Sequence, residues 1–395
     1  MNIIDETRLF EDIGRTRRAL LVEPPWKTRH VPLGLARIST VIKKNGGESR
    51  YRRVPSMLDV EWADRIFVSS VFSYDSKMLR ETLTAITSPL YDVKPIVVGG
   101  PFASLMPSLI RSWEHKELSL FAGCSPRLDE TPLDREIMWD RPDFDDTDWV
   151  MTSRGCPNKC PYCIVNKIED TRLIPKWETM LSGRAIVSLD DNNLTATPRD
   201  HWRHVLQTLS ERNVRVSFGN GLDCHRIDEE FARLIGRCRM TSSGLRMAFD
   251  REGDRGSFGK AVRLLRDAGV PKSSFQSYVL FNFNDTPAQA DARCREVQQL
   301  GVVPYPMRYT PLDKLERQPI YVGKNWTIQL VRKFRFFWLN KSLYSKFSFD
   351  GWMRDTGGST NWNDYNGHSE QEQEQEQEVP CLDFEWAGNE RVTSE

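Results

Sequence analysis

The sequence has no long apolar run. Nowhere in its 395 residues does an apolar segment approach the roughly 20 residues needed to span a bilayer. Residues 1–18 mix acidic and basic side chains without an apolar stretch, so no secretory signal is predicted there. We therefore expect a cytoplasmic protein with no membrane partner.

Net charge is also missing, because 55 Lys and Arg residues balance 55 Asp and Glu residues. The chain thus has no overall field that would attract nucleic acid or an anionic membrane, although a local basic groove is compatible with this balance. The hydrophobic share of 39% and the charged share of 28% are typical of a globular protein. The length exceeds that of one hydrophobic core and predicts two or three domains.

Cysteines are few, but three of the eight fall within eight residues, at positions 156, 160 and 163. Cytosolic thiols stay reduced, so clustered cysteines there indicate metal binding or chemistry rather than disulfides. The other five are scattered, and we expect ordinary, mostly buried thiols.

The order of apolar segments predicts an α/β fold. In residues 1–125, short apolar strands at 19–22, 66–72 and 95–98 alternate with helical patterns, which predicts a Rossmann-like doubly wound parallel sheet. The turn Gly99-Gly100 follows the third strand, where such sheets bind ligands, but turn geometry and packing explain it equally well. Residues 126–147 are polar, acidic and proline-bearing, and we expect a linker.

A second pattern begins at residue 148. Candidate strands separated by helical patterns predict a partial (β/α)6 TIM-type barrel over 148–315, with its chemistry at the carboxyl ends of the strands. One helix is predicted to begin with Thr197 as N-cap, and another with Thr286, with Gln289 completing a capping box. A helical extension is expected over 316–355. The six strands are predicted at 149–153, 185–189, 214–218, 245–249, 277–281 and 302–309.

The last segment, 356–395, is rich in Glu and Gln and carries few apolar residues. Such a segment cannot bury enough apolar surface to fold alone. We expect a disordered acidic tail. The aromatic and basic stretch 326–349, in contrast, predicts one or two packed helices, although it leaves a modified-nucleotide substrate open.

The three clustered cysteines lie just after the first strand of the six-fold pattern. Cys156, Cys160 and Cys163 can hold one side of a soft metal centre. A closed zinc site or a four-cysteine cluster needs a fourth ligand. In the fifty residues after Cys163, the only cysteines or histidines are His201 and His204. A cubane cluster on three cysteines keeps one iron that an amino acid such as methionine can chelate. Structural zinc and coincidental thiols remain alternatives.

Cys-x3-Cys-x2-Cys, with Tyr162 before the last cysteine and six βα repeats around it, resembles the radical S-adenosylmethionine (SAM) superfamily. The resemblance implies a [4Fe–4S] cluster on Cys156, Cys160 and Cys163, with SAM on the remaining iron. It also implies a low-potential electron donor of the flavodoxin or ferredoxin type. Reductive cleavage of SAM would give a 5′-deoxyadenosyl radical that abstracts hydrogen from a substrate we cannot identify, a small molecule or a modified nucleotide.

The same resemblance implies further contacts at the ends of the predicted strands. The Tyr162 backbone would contact the adenine, and Asp190 or Asp191 would pair with the SAM ammonium, unless these carboxylates cap a helix. Arg246 would bind the SAM carboxylate, unless it forms a salt bridge on a solvated face. Candidate cofactor contacts also include Asn192, Asn220 and Asp223, and candidate substrate contacts are Arg308 and Tyr309. The sequence assigns no catalytic residue.

The N-terminal unit resembles the cobalamin-binding-type domains that precede some of these barrels, through Pro24-Pro25, residues 32–35 and residues 98–101. It lacks the Asp-x-His-x-x-Gly loop whose histidine ligates cobalt. Cobalamin bound without that ligand and a degenerate scaffold that binds no corrin both remain open, and we favour the scaffold. Three functions therefore compete: hydrogen abstraction by a radical SAM enzyme, a cobalamin-dependent radical SAM methyltransferase, and a non-catalytic iron–sulfur or zinc binding module.

Overall fold

The computed structural model describes residues 2–26, 31–88, 92, 94–113, 115–138 and 146–356. These residues divide into two compact units. The first runs to Gly183 and includes the later segment Leu312–Arg317, and the second comprises Arg184–Pro311 and the described residues from Gln318 onward. Within the described ranges no helix is long and apolar enough to cross a membrane. The predicted acidic tail, apart from its first residue, lies outside them.

The first unit is built on a six-stranded parallel sheet with the order β1-β6-β5-β4-β2-β3. Its strands are β1 (Asn2–Ile4), β2 (Arg18–Val22), β3 (Glu48–Arg52), β4 (Arg65–Ser69), β5 (Ile96–Gly99) and β6 (Leu118–Phe121). Its larger helices are α1 (Glu6–Arg15), α2 (Leu33–Lys44), α3 (Met57–Trp62), α4 (Ser76–Ile86), α5 (Pro101–Leu105) and α6 (Pro107–Arg111). The unit ends with α7 (Pro126–Asp129), β7 (Thr147–Val150), β8 (Ser153–Arg154), α8 (Val165–Ile168) and β9 (Arg172–Leu173).

Both faces of this sheet are buried, which explains the continuous apolar strands. On β2, Leu20 and Val22 belong to one core cluster, whereas Ala19 and Leu21 belong to another. Successive side chains of a strand point to opposite faces, so each cluster covers one face. The prediction of a parallel sheet with two buried faces is confirmed, although only three of its strands were predicted.

The segment expected to be a linker is packed where the structure describes it. Residues 126–129 form α7, and Leu128 and Ile137 join the core cluster that also holds Leu21. The linker prediction is therefore wrong for residues 126–138. The acidic composition was misleading because the Asp129 carboxylate is buried in ion pairs with arginines.

The second unit contains five strands that pair in parallel, each with the next along the chain. They are β10 (Ile186–Leu189), β11 (Arg215–Leu222), β12 (Arg239–Ala248), β13 (Phe275–Phe281) and β14 (Val303–Arg308). The helices are α9 (Arg199–Glu211), α10 (Glu229–Ile235), α11 (Arg255–Asp267), α12 (Pro287–Gln299), α13 (Ile328–Leu339), α14 (Lys341–Tyr344) and α15 (Phe349–Asp355). The parallel βα order is confirmed, and the partial barrel stays a prediction.

The two predicted helix starts have different outcomes. Thr286 and Gln289 form the expected capping box at α12. Thr197, in contrast, does not cap α9: the helix begins at Arg199 with Pro198 as N-cap, and the Thr197 hydroxyl donates to the Leu194 carbonyl at 2.8 Å. A residue before proline is held in extended conformation, which places Thr197 outside the helix.

The aromatic stretch near the end of the described chain is packed within its unit. Phe334, Phe337 and Trp338 on α13 are buried. The Phe334 ring lies 4.8 Å from the ring of Phe281 on β13, between centroids. Burial accounts for these aromatic residues, as the packed-helix prediction expects.

Candidate functional site

The three clustered cysteines lie in one loop of the first unit. Strands β8 and β9 pair antiparallel, with Ser153 opposite Leu173 and Arg154 opposite Arg172, so they close the loop at its base. Cys156, Cys160 and Cys163 form no disulfide and are half-buried, as is Tyr162. The three predicted ligands and Tyr162 therefore lie in one loop.

Hydrogen bonds fold this loop back on itself. The Cys163 amide donates to the Cys160 carbonyl at 3.1 Å. The Asn166 side-chain amide donates to the Cys160 carbonyl at 3.3 Å and to the Asn158 carbonyl at 3.4 Å. These bonds join backbone and side-chain amide groups of the loop and so shape it.

The thiols influence one another electrostatically. Burial is the largest cause that raises the pKa of Cys163, and the charges of Cys160, Cys156 and Glu169 raise it further, against a backbone amide of Val165 that lowers it. The neighbouring charges therefore disfavour the thiolate of Cys163 in the absence of a cation. A metal centre that replaces the protons would remove this penalty.

Gly155 allows the chain to enter the loop. Its φ is +74°, and a Cβ atom there would lie 2.7 Å from the Asp170 carbonyl oxygen and 2.8 Å from the Thr171 Cα. Both the backbone conformation and the close approach require glycine. The first cysteine therefore follows a turn that no other residue fits without moving the backbone of Asp170 and Thr171.

A set of buried ion pairs lies behind the loop, and sequence reasoning missed it. Arg154 donates to Asp129 through Nη2 (2.7 Å) and Nε (3.1 Å), and through Nη1 to Glu169 at 3.2 Å. The other Glu169 oxygen accepts the Gly155 amide at 3.2 Å. The available signal was an arginine immediately before the Gly155-Cys156 pair. Its partner Asp129 could not be foreseen, since it lies 25 residues away in the supposed linker.

In the second unit, two predicted site residues meet at the ends of β10 and β11. The Asn220 side-chain amide donates to the Asp190 carbonyl at 2.7 Å, and the Asp190 carboxylate accepts the Ser188 hydroxyl at 3.2 Å. Asp191 is buried and Asn192 is half-buried. The helical segments that follow have Asn193 and Pro198 as N-caps, so the capping alternative for the two aspartates is wrong.

Asp223 has a structural role that the sequence did not suggest. One of its oxygens accepts the His225 amide at 3.0 Å and so begins a short 3-10 turn. The ligand atoms of Asp223, Cys224 and His225 lie within 4.8 Å of one another. However, Asp223 is ion-paired with Arg226 at 3.4 Å, and a guanidinium competes with a metal ion for the carboxylate. We assign no metal there.

Arg246 lies on β12 and is 5% exposed. Its Nε donates to the Gln276 side chain at 3.2 Å and its Nη1 to the Gly219 carbonyl at 3.5 Å. The Tyr278 hydroxyl donates to the same carbonyl at 2.9 Å. The solvated-face alternative for Arg246 is therefore wrong. The sequence analysis missed Gln276 and Tyr278. Polar side chains at alternate positions of a buried strand point to the same face, and this pattern could have indicated a site.

Arg308 and Tyr309 lie at the end of β14, both half-buried. The Tyr309 amide donates to the Phe281 carbonyl at 3.0 Å. Its ring packs against Phe283, with centroids 4.6 Å apart, and against Tyr321 at 5.5 Å. The structure thus places the two candidate substrate contacts at the carboxyl end of a parallel strand, where ligands commonly bind.

The crevice in which a doubly wound sheet binds ligands lies beyond β2, where the strand order reverses. Glu23 and Trp26 follow β2 and are 1% and 2% exposed. The Trp26 indole donates to the Glu23 carboxylate at 2.9 Å, and the Tyr51 hydroxyl donates to its other oxygen. These three side chains satisfy one another and occupy the carboxyl end of β2.

The Gly99-Gly100 turn is explained by packing. Gly100 has a φ of +106°, and a Cβ atom there would collide with the Ser70 backbone. The Ser70 hydroxyl donates to the Gly99 carbonyl at 2.8 Å and accepts the Ala103 amide at 3.0 Å. The two glycines therefore bring the end of β5 against the end of β4.

Comparisons with known proteins identify no family for this chain. Neither a family model nor a curated protein sequence matches it. A solved structure, the apo, selenomethionine-labelled cobalamin-dependent S-adenosylmethionine radical enzyme OxsB, is similar at 15% identity with a TM-score of 0.42. The likeness covers 87% of this chain but only 58% of that one. A similarity of this degree carries no argument about activity.

Proposed function

We propose that this protein is a radical SAM enzyme whose Cys156, Cys160 and Cys163 hold a [4Fe–4S] cluster. The observation that carries the proposal is the loop of the first unit, in which three half-buried thiols are gathered between β8 and β9. Thiolates are the preferred ligands of iron–sulfur clusters. Such a cluster, when bound, would supply the electron that cleaves SAM.

The residues of the loop suit this group. The three thiols would provide soft ligands, and Gly155 lets the chain before the first of them lie close to the backbone of Asp170 and Thr171. The Cys160 carbonyl is already engaged by Asn166 and by the Cys163 amide. Such bonds within the loop would lower the cost of ordering three ligands.

The proposal assigns SAM contacts to polar groups at the strand ends of the second unit. The buried Arg246 guanidinium would bind the SAM carboxylate, since its planar fork matches that group. Asp190 or Asp191 would pair with the ammonium. The remaining proposed contacts are Tyr162, Asn192, Asn220 and Asp223 for SAM, and Arg308 and Tyr309 for the substrate.

Anaerobic reconstitution tests the cluster. Protein loaded with iron and sulfide should bind four of each, and dithionite with SAM should release 5′-deoxyadenosine, measured by mass spectrometry. Cys160→Ala should lose both the visible absorbance and the cleavage. Cys238→Ala, which removes a buried thiol of the second unit, should keep both. One zinc without sulfide, or a full cluster that never cleaves SAM, would instead favour a non-catalytic binding module.

Arg246 gives a separate test of SAM binding. Arg246→Ala should weaken SAM binding by roughly 1.5–3 kcal/mol, the range for a hydrogen bond to a charged group. Arg239 begins the same strand and is exposed, so Arg239→Ala is the matched control and should leave the dissociation constant unchanged. Equal affinities for the wild type and the Arg246 variant would remove Arg246 from the site.

We further propose that the first unit is a scaffold that binds no corrin. Glu23, Trp26 and Tyr51 fill the end of β2 and satisfy one another, so a ligand there would have to displace three buried side chains. Cobalamin titrated into reconstituted protein should leave its own spectrum unchanged. A bound corrin after gel filtration would favour the cobalamin-dependent methyltransferase instead.

A further inference from the structure

We infer that Asp129, with the arginines around it, positions the cysteine loop and sets the reduction potential of the cluster it holds. The inference rests on the proposed function, because a reduction potential presupposes the cluster. Three guanidinium groups converge on this one carboxylate: those of Arg37, Arg154 and Arg172. Asp129 and Arg37 are each 2% exposed.

The ion pairs join the loop to the N-terminal sheet of the same unit. Arg37 lies on α2 and donates to Asp129 at 2.9 Å, and Asp129 ends α7. Arg154 on β8 and Arg172 on β9 bring the two strands that close the loop to the same carboxylate. A single buried side chain therefore fixes both ends of the loop to the unit's core.

Glu169 extends these ion pairs to the start of the cysteine loop. One Glu169 oxygen pairs with Arg154 at 3.2 Å, and the other accepts the amide of Gly155, the residue before Cys156. The network thus reaches the first cysteine through the backbone.

The charges of these five side chains do not cancel. Three guanidinium groups against two carboxylates leave one net positive charge in a largely buried place. Buried ion pairs of this kind contribute little net stability compared with apolar packing. They do change the local potential, and net charge is one of the factors that set the reduction potential of an iron–sulfur cluster.

The sign of the effect follows from the charge of the reduced cluster, which carries one more electron. Removing the negative charge of Asp129 should stabilise the reduced form and raise the midpoint potential. Removing the positive charge of Arg172 should lower it. A merely structural role would disturb the loop in both variants and would not shift the potential in opposite directions.

The test measures midpoint potentials by redox titration with electron paramagnetic resonance on reconstituted full-length protein. Asp129→Asn should have a higher midpoint than the wild type, and Arg172→Gln a lower one. Arg203→Gln, which removes a half-exposed arginine paired with Glu230 in the second unit, should match the wild type. Unchanged midpoints in the first two variants, or shifts of the same sign, would overturn the inference.

A second readout needs no cluster. In the apoprotein, amide hydrogen exchange over residues 153–172 should accelerate in Asp129→Asn and remain at the wild-type rate in Arg203→Gln. Unchanged exchange would overturn the positioning role. If the wild type forms no cluster at all, the proposed function fails, yet this measurement still decides the positioning role. Arg172 is partly exposed, so its variant is expected to fold even if Asp129→Asn does not.

Discussion

At the scale of single residues, two separate features of the backbone require glycine at position 155. Its positive φ is one, and the approach of the Asp170 and Thr171 backbone is the other. Gly183 in the same unit has a φ of +90°, but a Cβ atom there would meet no other atom of the described residues within 4 Å. The two glycines therefore form a matched pair, alike in backbone conformation and different in space.

We expect Gly183→Ala to lower the free energy of unfolding by about 1–2 kcal/mol, the cost of a left-handed alanine. Gly155→Ala should cost roughly 1–3 kcal/mol more, because its Cβ also overpacks against backbone. Chemical denaturation of the two apo variants measures the difference. Equal losses of unfolding free energy would mean that the backbone of Asp170 and Thr171 moves away from the new Cβ atom without strain.

The ionised Asp129 carboxylate should also make the stability of the apoprotein depend on pH in the acid range. Burial tends to raise the pKa of this carboxyl, but Arg154, Arg37 and Arg172 outweigh burial and hold the pKa below its usual value. A depressed folded-state pKa gives stability that is present above the unfolded value of about 4. That stability is lost as the pH falls through the folded value.

Asp129→Asn should therefore be less stable than the wild type at pH 7, with the gap closing as the pH falls below about 4. Urea unfolding across this range makes the comparison. A gap that stays constant down to pH 2 would show that the loss comes from packing rather than from charge. Asn is nearly isosteric with Asp, so a large packing loss is not expected.

At the residue scale, the sequence shows the spacing of the cysteines but not the side chains that support their loop. Cys156, Cys160 and Cys163 are close along the chain, so their spacing is visible. Asp129 and Arg37 reach the loop only through the tertiary fold. The burial of Arg246 was left open by the sequence, because an arginine between Leu245 and Met247 fits an exposed face as well as an interior one.

At the scale of elements, the two predicted caps make a second matched pair. Thr286→Ala should destabilise the protein by about 1 kcal/mol, since it removes the side-chain acceptor of the Gln289 amide at the start of α12. Thr197→Ala should cost less, because the Thr197 side chain does not cap α9. Thermal or urea unfolding of both variants decides this, and the reverse order would contradict the assignment of the caps.

Elements with a strong apolar pattern could be predicted from the sequence, whereas the polar strand at the edge of the sheet could not. Helix α12 begins where its capping box predicted. The strand β3 was missed because its sequence Glu-Ser-Arg-Tyr-Arg is polar, as suits the outermost strand of the sheet. The turn after β13 also lacks the usual glycine signal. Asn282 adopts a φ of +67° there, a conformation that Asn tolerates better than most residues.

At the scale of the whole molecule, the sequence predicted two parallel α/β regions, and the structure has two parallel sheets. The cysteine loop lies in the compact unit that runs to Gly183. The ion pairs of Asp129 that hold the loop contribute no apolar pattern, so periodicity could not predict them. We expect hydrogen exchange in Asp129→Asn to change within the first unit and not in β10–β14.

The first unit is not continuous along the chain, since Leu312–Arg317 belongs to it. The Ser73 and Ser76 hydroxyls donate to the Leu312 and Leu315 carbonyls, each at 2.7 Å, and Arg317 pairs with Asp75 at 2.8 Å. No single cut can therefore release either half intact. A fragment ending at residue 183 would lack the strip that covers the start of α4, and gene fusions or split versions of this protein would have to carry that strip on a separate linker.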